Sequence, residues 1–230
     1  MSAIFKREFK SYFTSPVGYI FFAVALFFAG QSFCTVYSAG YTEISYVFSE
    51  MFSVSFLLVP VLTMRLISED RRQKVDQALF TSPVSVSSIV LGKFFATFCI
   101  YALSFSITFV FQFILALYAS LDWTVFLSNL VGVLLFGSAL ISIGLFISAL
   151  TESQLVAAIG SFAVSILLLS MDNYTKDNLL GKIISYISFS SKYNEFLMGV
   201  LNYANVIFFL SITALFVFLT VRALEKKRWA

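Results

Sequence analysis

Residues 65–93 are the longest charged segment of this 230-residue chain and the first candidates for chemistry. Side chains of opposite charge this close together can pair with one another or meet a charged partner surface. On either side the sequence is apolar for about one bilayer thickness. The pattern predicts a cytoplasmic docking element attached to a membrane-embedded remainder. Its basic residues are Arg65, Arg71, Arg72, Lys74 and Lys93, and its acidic residues are Glu69, Asp70 and Asp76.

Enzymatic chemistry is not expected from this chain, because the residue types that it needs are absent or scattered. The sequence has no histidine, and no cluster of carboxylates is predicted to face one pocket. A nucleotide-binding loop ending in Gly92 and Lys93 would need glycine at 87 and Ser or Thr at 94, where this chain has Ser87 and Phe94. The two cysteines are predicted near opposite leaflets, too far apart for a disulfide. We therefore expect no catalytic residue, no metal site and no cofactor.

Six apolar stretches make up most of the sequence. The chain is 60% hydrophobic and 12% charged, whereas soluble domains carry about 25% charged residues. A helix needs about 20 apolar residues to cross the hydrocarbon core, and it satisfies its own backbone groups there. The sequence predicts an all-α integral membrane protein with six transmembrane helices. The predicted spans are residues 17–38, 51–67, 90–118, 125–149, 155–171 and 204–222.

The basic residues predict that both termini are cytoplasmic. With the N-terminus inside, twelve of the fifteen basic residues fall in inner segments, as the positive-inside rule requires. Only Lys176, Lys182 and Lys192 fall outside. The net charge of +3 follows from this asymmetry and does not indicate nucleic-acid binding. Residues 172–203 are predicted to form an extracytoplasmic segment, with interfacial or re-entrant helices in the outer leaflet that are interrupted at residues 188–191.

Residues 2–14 have the pattern of a short amphipathic helix on the inner membrane surface. Aromatic side chains recur on one face, and basic side chains lie away from it, toward anionic head groups. The alternative is a basic flank that only fixes the topology. The residues assigned to the membrane surface are Phe5, Lys6, Arg7, Phe9, Lys10 and Phe13.

The pentapeptide Phe-Thr-Ser-Pro-Val occurs at residues 13–17 and again at 80–84, each time before an apolar run. In each copy the serine, Ser15 or Ser82, is predicted to cap a new helix, with the proline in its first turn. The residue before proline disfavours helical dihedrals, so the preceding helix should end there. Both copies therefore predict a change from a surface helix to the next element.

Packing positions can also be predicted. Span two is expected to continue as a straight helix through residues 65–80, with Arg65 and Glu69 paired one turn apart. Lys93 is expected to reach the interface with its long side chain, and Gln112 to join helices by hydrogen bonding. Spans four and five each carry a face of small residues that permits close helix approach. These faces are Gly137, Ile141, Gly144 and Ser148 in span four and Ala157, Ser161 and Ser165 in span five.

The middle of every predicted span lacks Asp, Glu, Lys, Arg and His. Ion-coupled pumps usually mark their path with such residues, so a self-sufficient carrier or channel is disfavoured. If the protein moves a substrate, the energy must reach it through a cytoplasmic surface. The N-terminal helix and residues 65–93 are the surfaces large enough to receive it.

Four stretches carry a family pattern: FKREFKSYFTSPVGYIF, RLISEDRRQKVDQALFTSPVSVSSIVLGKFFA, YNEFLMGVLNYANVIFF and FLTVRALEKKRW. Together they resemble the permease subunits of ABC-2-type transporters, most closely the branch of gliding-motility-associated and nitrous-oxide-reductase-maturation permeases. In that family the segment after the second span forms a coupling helix that inserts into a separate ATP-binding subunit. The resemblance implies a single ABC-2-type transmembrane domain over residues 1–230, with its coupling region at residues 68–84.

The resemblance also assigns individual residues to this coupling region. Its acidic-basic start and its Thr-Ser-Pro-Val end match the family. The middle departs from it, with Lys74 and Val75 where Gly-Thr is common and Gln77 where an acidic residue is usual. The residues implied in ATPase coupling are Glu69, Asp70, Arg71, Arg72, Lys74, Val75, Asp76, Leu79, Thr81, Ser82 and Pro83.

The function implied by the resemblance is that of a non-enzymatic membrane subunit of an ATP-driven exporter in a prokaryotic inner membrane. ATP and magnesium would bind to a separate ABC ATPase subunit. A second permease, identical or related, would complete a dimer among membrane lipids, with an accessory membrane or extracytoplasmic subunit as a further partner. The alternative is a non-transporting membrane scaffold or mechanical transducer that works with an ATPase partner.

Overall fold

The computed structural model describes residues 1–40, 44–74, 85–118, 122–170 and 188–228, and within these ranges every regular element is a helix. Long apolar runs account for most of them, as expected where a segment must pair its own backbone groups. The prediction of an all-α protein is confirmed for these residues. The helices are α1 Ser2–Thr14, α2 Pro16–Ser38, α3 Ser45–Thr63, α4 Ser68–Arg72, α5 Val86–Phe105, α6 Ile107–Ala116, α7 Trp123–Leu150, α8 Gln154–Ser170, α9 Phe189–Leu197 and α10 Tyr203–Arg228.

Within the described ranges, five helical stretches are long and apolar enough to cross a membrane. They are Pro16–Ser38, Ser45–Arg72, Val86–Ala116, Trp123–Leu150 and Tyr203–Lys227. The apolar helix α8 has 17 residues, which correspond to about 26 Å. The stretches formed by α2 and α10 bury only 28% and 17% of their most apolar windows inside the chain. Their remaining apolar surface requires lipid or another membrane helix to cover it.

Helix α7 packs against more of the bundle than its neighbours do, contacting α3, α4, α5, α8, α9 and α10. Its glycines permit these close approaches. A Cβ atom at Gly137 would collide with the ring of Tyr101, and one at Gly144 would collide with Thr63. The small face of α7 is therefore occupied within the chain.

The small face of α8 is turned toward α3 and α7. Ala157, Ser161 and Ser165 are all buried. The two serines line a narrow space together with Thr63 and Gly144. Gly144 of α7 and these two serines of α8 thus meet at the same turn of α3, near its end.

Helices α7 and α10 run in the same direction. Phe136 contacts Phe209, the Ser138 hydroxyl lies 3.0 Å from that of Thr213, and Phe146 contacts Phe216. Residue numbers therefore rise together along the two helices. After α7 the chain must return to the opposite end of the bundle before α10 begins, and α8 lies in this part of the sequence.

Helix α9 corrects the prediction for residues 188–203. The expected interruption at residues 188–191 is a helix start, because the Ser188 hydroxyl accepts a hydrogen bond from the backbone N–H of Ser191 at 3.2 Å. The helix ends at Leu197, where it was expected to resume, and Gly199 follows with φ +81°. Its aromatic side chains, including Tyr193, are buried against α3 and α7. Residues 171–187 lie outside the described ranges.

Helix α3 begins earlier than the predicted second span. The span was expected from residue 51, but the helix includes residues 45–50. Polar side chains at this end form tertiary bonds: the Ser45 hydroxyl donates to the carbonyl of Leu197 at 3.1 Å and accepts from the amide of Asn129 at 3.1 Å. Ser45 thus forms bonds within the bundle from the first turn of α3, which lies before residue 51, the predicted start of the second span.

The predicted third span consists of two helices, α5 and α6, with a break at Ser106. The hydroxyls of Ser106 and Thr108 each donate to a backbone carbonyl three residues earlier at 2.7 Å, and such bonds compete with regular helix geometry. Gln112 is buried in α6, and its Oε1 has no hydrogen-bond partner among the described residues. The expected interhelical bond is therefore not made through that atom.

Candidate coupling site

The junction between α3 and α4 is a helix break held by one side chain of α7. The straight helix predicted through residues 65–80 is wrong, since residues 64–67 form a turn and α4 ends at Arg72. The backbone N–H groups of Ile67 and Ser68 both donate to the Ser148 hydroxyl at 3.1 Å. That hydroxyl donates to the carbonyl of Met64 at 3.3 Å. Ser148 thus satisfies backbone groups that the break leaves without helical partners.

The end of α3 is irregular. Pro60 lies inside the helix and has no N–H to donate, so the carbonyl one turn before it loses its helical partner. After Pro60 the hydrogen-bond spacing shortens: the N–H of Leu66 donates to the carbonyl of Thr63, three residues earlier, at 3.1 Å. Beyond α4 the chain turns again at Lys74, with φ 57°.

Lys93 is buried at the base of α5, with 2% of its side chain exposed. Its Nζ lies 2.7 Å from Asp70 Oδ2 and 3.0 Å from Glu8 Oε1, and it donates to the carbonyl of Leu66 at 2.6 Å. An ammonium group has three N–H donors, and all three have acceptors here. The long side chain of Lys93 therefore ends among carboxylates of α1 and α4, partners that the sequence did not predict.

Lys93 and the five charged side chains around it form what we call the charge cluster: Arg7, Glu8, Arg65, Glu69, Asp70 and Lys93. Three are basic and three acidic, and they come from α1, α4, α5 and the α3–α4 turn. The guanidinium of Arg7 lies 2.6 Å from Glu8 and 3.4 Å from Asp70. Taking a charge out of water is costly unless it is paired and hydrogen-bonded. The balance of charges explains how this group can be buried between helices.

Arg65 attaches the α3–α4 turn to the junction between α1 and α2. Its Nε lies 2.8 Å from Glu69 Oε2, which is the ion pair predicted one turn apart. Its Nη1 donates to the Ser15 hydroxyl at 2.8 Å. Ser15 occupies the cap position of α2 before Pro16, but its side chain makes no capping bond. The predicted capping role of this hydroxyl is therefore replaced by a bond to Arg65.

Helix α1 packs on α5 through close contacts next to the charge cluster. A Cβ atom added at Gly92 would meet Ile4 side-chain atoms at 3.0–3.2 Å, so the absence of a side chain permits this approach. The Tyr12 hydroxyl lies 3.0 Å from Thr97 Oγ1 and 3.2 Å from the carbonyl of Leu62. Burial raises the pKa of Tyr12 above its ordinary range. Tyr12 is therefore a neutral hydrogen-bonding link between α1, α3 and α5.

Two opposing effects act on the pKa of Glu8. Burial would raise it, but the charges and hydrogen bonds of Lys93 and Arg7 outweigh burial and lower the pKa of Glu8 below its ordinary value. Glu8 is therefore a carboxylate at neutral pH. An ionised Glu8 is what the Lys93 ammonium requires as a partner.

The charge cluster lines a cavity of about 260 Å³ together with Ser11, Tyr12 and Gln73. Its walls come from separate helices joined by ion pairs, so a displacement of α4 must either break these pairs or carry α1 and α5 with it. The site therefore joins helices mechanically, through ion pairs between their side chains.

The other side of α4 faces a groove of about 600 Å³. Arg71, Arg72 and Lys74 line it from the α4 side. Glu152 lines it from the turn between α7 and α8, and Gln154 from the first residue of α8. Arg71 is buried, whereas Arg72 and Lys74 are exposed. Helix α4 thus presents its acidic side chains to the charge cluster and its basic side chains to this groove.

The predicted coupling residues divide into three groups. Glu69 and Asp70 form ion pairs within the chain, while Arg71, Arg72 and Lys74 line the groove. The rest lie outside the described residues. These are Val75, Asp76, Leu79, Thr81, Ser82 and Pro83.

The residues assigned to the membrane surface all lie on α1. Lys6, Lys10 and Phe13 are exposed, and Phe5 and Phe9 are half-buried. Arg7 differs from the other two basic residues, because its guanidinium pairs with Glu8 and Asp70.

Sequence reasoning missed the roles of Glu8, Tyr12 and Ser148 and the partners of Lys93. Each contacts a residue far away in the sequence, so local spacing carries no signal for the contact. One signal was available: a lysine near the end of an apolar span needs either water or a carboxylate partner. Glu8 is an acidic residue in the basic N-terminal segment that could have been considered for that role.

A family model described as "ABC-2 family transporter protein" matches residues 35–223, which is most of the chain. The protein belongs to this family. Membership implies a transporter membrane subunit that associates with an ABC ATPase subunit and is generally not catalytic itself. With several apolar helices, it also indicates a multi-pass membrane protein. No curated protein matches the chain. Helix α1 precedes the matched residues, so its contacts are known from the structure alone.

Proposed function

We propose that this ABC-2 family protein is the permease subunit of an ATP-driven exporter in a prokaryotic inner membrane. The four stretches that resemble the gliding-motility-associated and nitrous-oxide-reductase-maturation permeases support a place in that branch. A separate ATPase binds and hydrolyses ATP, and this chain converts the resulting motion into a rearrangement of its membrane helices.

The observation that carries this proposal is the position of α4 between the charge cluster and the groove. On one side Asp70 is fixed to Lys93 at 2.7 Å, and on the other Arg72 and Lys74 are exposed. The ATPase binds the coupling region at residues 68–84, including this exposed basic side. A displacement of α4 is then transmitted to α5 through Lys93, to α1 through Glu8 and to α7 through Ser148.

Six crossings with both termini in the cytoplasm fit this arrangement. The parallel course of α7 and α10 supports α8 as the crossing between them, although its 17 described residues make it the shortest. The charge cluster and the α7–α8 turn adjoin α4 at one end of the bundle. The bonds of Ser45 to Leu197 and Asn129 join helix ends at the other. The first end is the cytoplasmic one in this proposal.

A second permease chain completes the transporter, because six helices rarely enclose a path alone. The small faces of α7 and α8 are occupied within the chain. The dimer therefore forms through other surfaces, and the largely uncovered apolar faces of α2 and α10 are available for it.

The test is co-purification of ATPase with permease variants. The double change Arg72→Glu with Lys74→Glu reverses the exposed basic side of α4, and we expect at least about tenfold less ATPase per permease, the typical effect of losing a docking anchor. The matched control is Lys226→Glu with Lys227→Glu, a change of the same charge at the end of α10. Normal ATPase recovery with the α4 variant, or equal loss with the control, would contradict a docking role for this side of α4.

A further inference from the structure

Helix α1 presents three different faces. Ile4, Glu8 and Tyr12 recur every four residues and are turned toward α5 and the charge cluster. The second face is aromatic, and the third is basic and exposed. At 3.6 residues per turn, the aromatic face lies between the buried face and the two exposed lysines. The aromatic residues are Phe5, Phe9 and Phe13, and the lysines are Lys6 and Lys10.

The aromatic face continues into the membrane-spanning surface of the chain. Phe5 stacks on Phe9 with 5.7 Å between ring centroids, Phe9 lies 5.2 Å from Phe13, and Phe13 stacks on Phe22 of α2 at 6.0 Å. Phe22 belongs to a helix long and apolar enough to cross a membrane. One strip of rings therefore runs from α1 onto the span, which identifies the bilayer as the occupant of this face.

Two lysines lie next to this strip of rings, whereas the third basic residue of α1, Arg7, forms ion pairs with Glu8 and Asp70. Lys6 and Lys10 are exposed, one turn apart. Amphipathic helices with this combination bind at the boundary of head groups and acyl chains, and they prefer anionic lipid. The same helix carries Glu8, whose carboxylate holds Lys93, which in turn holds Asp70 of α4.

We propose that α1 is an anionic-lipid sensor: head groups bound by Lys6 and Lys10 hold α1 against α5, stabilise the charge cluster and thereby raise ATP turnover of the complex. A ligand that binds only the docked form of α1 stabilises that form. The effect on turnover rests on the proposed function, whereas the lipid site itself does not. Residues 35–223 alone match the family, so α1 lies outside that match.

The lipid site is tested on the permease alone, by thermal unfolding in a neutral detergent. Phosphatidylglycerol should raise the Tm of the wild type by more than phosphatidylcholine does. Lys6→Gln with Lys10→Gln should raise the phosphatidylglycerol concentration that gives half of this shift about thirtyfold, since two charges near the surface are lost. The control, Lys226→Gln with Lys227→Gln, should respond like the wild type. An unchanged response of the α1 variant, an equal loss in the control, or the same shift with free glycerol phosphate would overturn the lipid site.

The link to α4 is tested on the complex with its ATPase in vesicles. Wild-type turnover should rise at least about twofold when a third of the phosphatidylcholine is replaced by phosphatidylglycerol. Glu8→Gln should keep a lipid-dependent Tm shift but lose the rise in turnover, because lysine binding remains while the contact to Lys93 is weakened. Equal turnover on both lipids in an active complex, or a full rise in Glu8→Gln, would overturn the link. Failure of any complex to form would instead overturn the proposed function, and the Tm experiment would still decide the lipid site.

Discussion

The Nζ of Lys93 lies 2.7 Å from Asp70 Oδ2, and this ion pair joins the base of α5 to the short helix α4. Neither residue contacts water freely, since 2% of the lysine and 18% of the aspartate side chain are exposed. The pair therefore fixes α4 to a membrane helix. Glu8 shares the same ammonium and adds α1 to the unit.

Removing the Lys93 charge should destabilise the fold. Lys93→Met leaves Asp70 and Glu8 as partly buried carboxylates without their buried ammonium partner, so that the half-exposed Arg7 is the basic side chain still paired with both. Losing one member of a buried pair costs about 3–5 kcal/mol, so the free energy of unfolding should fall by about 3 kcal/mol. Denaturation in detergent measures it, with Lys226→Met as the exposed control. A loss of less than about 1 kcal/mol for Lys93→Met would mean that the cluster is weakly held.

Ser148→Ala should disturb the α3–α4 break. Without the hydroxyl, the N–H groups of Ile67 and Ser68 lose their acceptor, which costs about 1–3 kcal/mol. Ser142→Ala is the matched control, because Ser142 is equally buried in α7 but bonds to a carbonyl of its own helix. Hydrogen exchange at Ile67 and Ser68 should speed up in Ser148→Ala and stay unchanged in Ser142→Ala. Equal exchange in both variants would show that Ser148 does not hold the break.

The sequence was informative where neighbours in the fold are neighbours in the sequence. The Arg65–Glu69 pair follows from a spacing of four residues, and the glycines of α7 follow from steps along one helix face. The contacts of Lys93 with Asp70 and Glu8 join separate elements, and no local period encodes them. The break before α4 was missed because residues 64–67 have helix-compatible side chains. Its stabilising bonds come from Ser148, on another helix.

The surroundings of Gly137 on α7 and of Gly30 on α2 predict opposite effects of the same substitution. Gly137→Ala would press a methyl group into the buried ring of Tyr101, and overpacking of this kind costs about 1–3 kcal/mol. Gly30→Ala should instead stabilise α2 by roughly 0.5–1 kcal/mol, because nothing lies within 4 Å of the new methyl group and alanine favours helix. Thermal unfolding of both variants checks this. A neutral Gly137→Ala would contradict the close packing of α5 on α7.

Acidification should weaken the attachment of α1 to α5, which depends on the ion pair between Glu8 and Lys93. The pKa of Glu8 is lower in the folded chain than in the unfolded chain. Its stabilising contribution is therefore present above the unfolded pKa and is lost as the pH falls through the folded value. The Tm difference between wild type and Glu8→Gln should be constant near neutral pH and shrink in acid. Glu225→Gln, at an exposed ion pair with Arg222, is the control. A difference that persists after Glu8 is protonated would contradict this account.

The most direct test of the central claim is ATP turnover per bound ATPase in the Asp70→Asn complex. Asp70 faces Lys93, so the variant should bind the ATPase normally but change its turnover at least about threefold, and Asp70→Glu should restore it by keeping a carboxylate at the pair. Gly137→Ala serves as a destabilised comparison that leaves the charge cluster intact and should keep normal turnover. Wild-type turnover in Asp70→Asn would contradict the claim that the charge cluster transmits motion from α4 to the membrane helices.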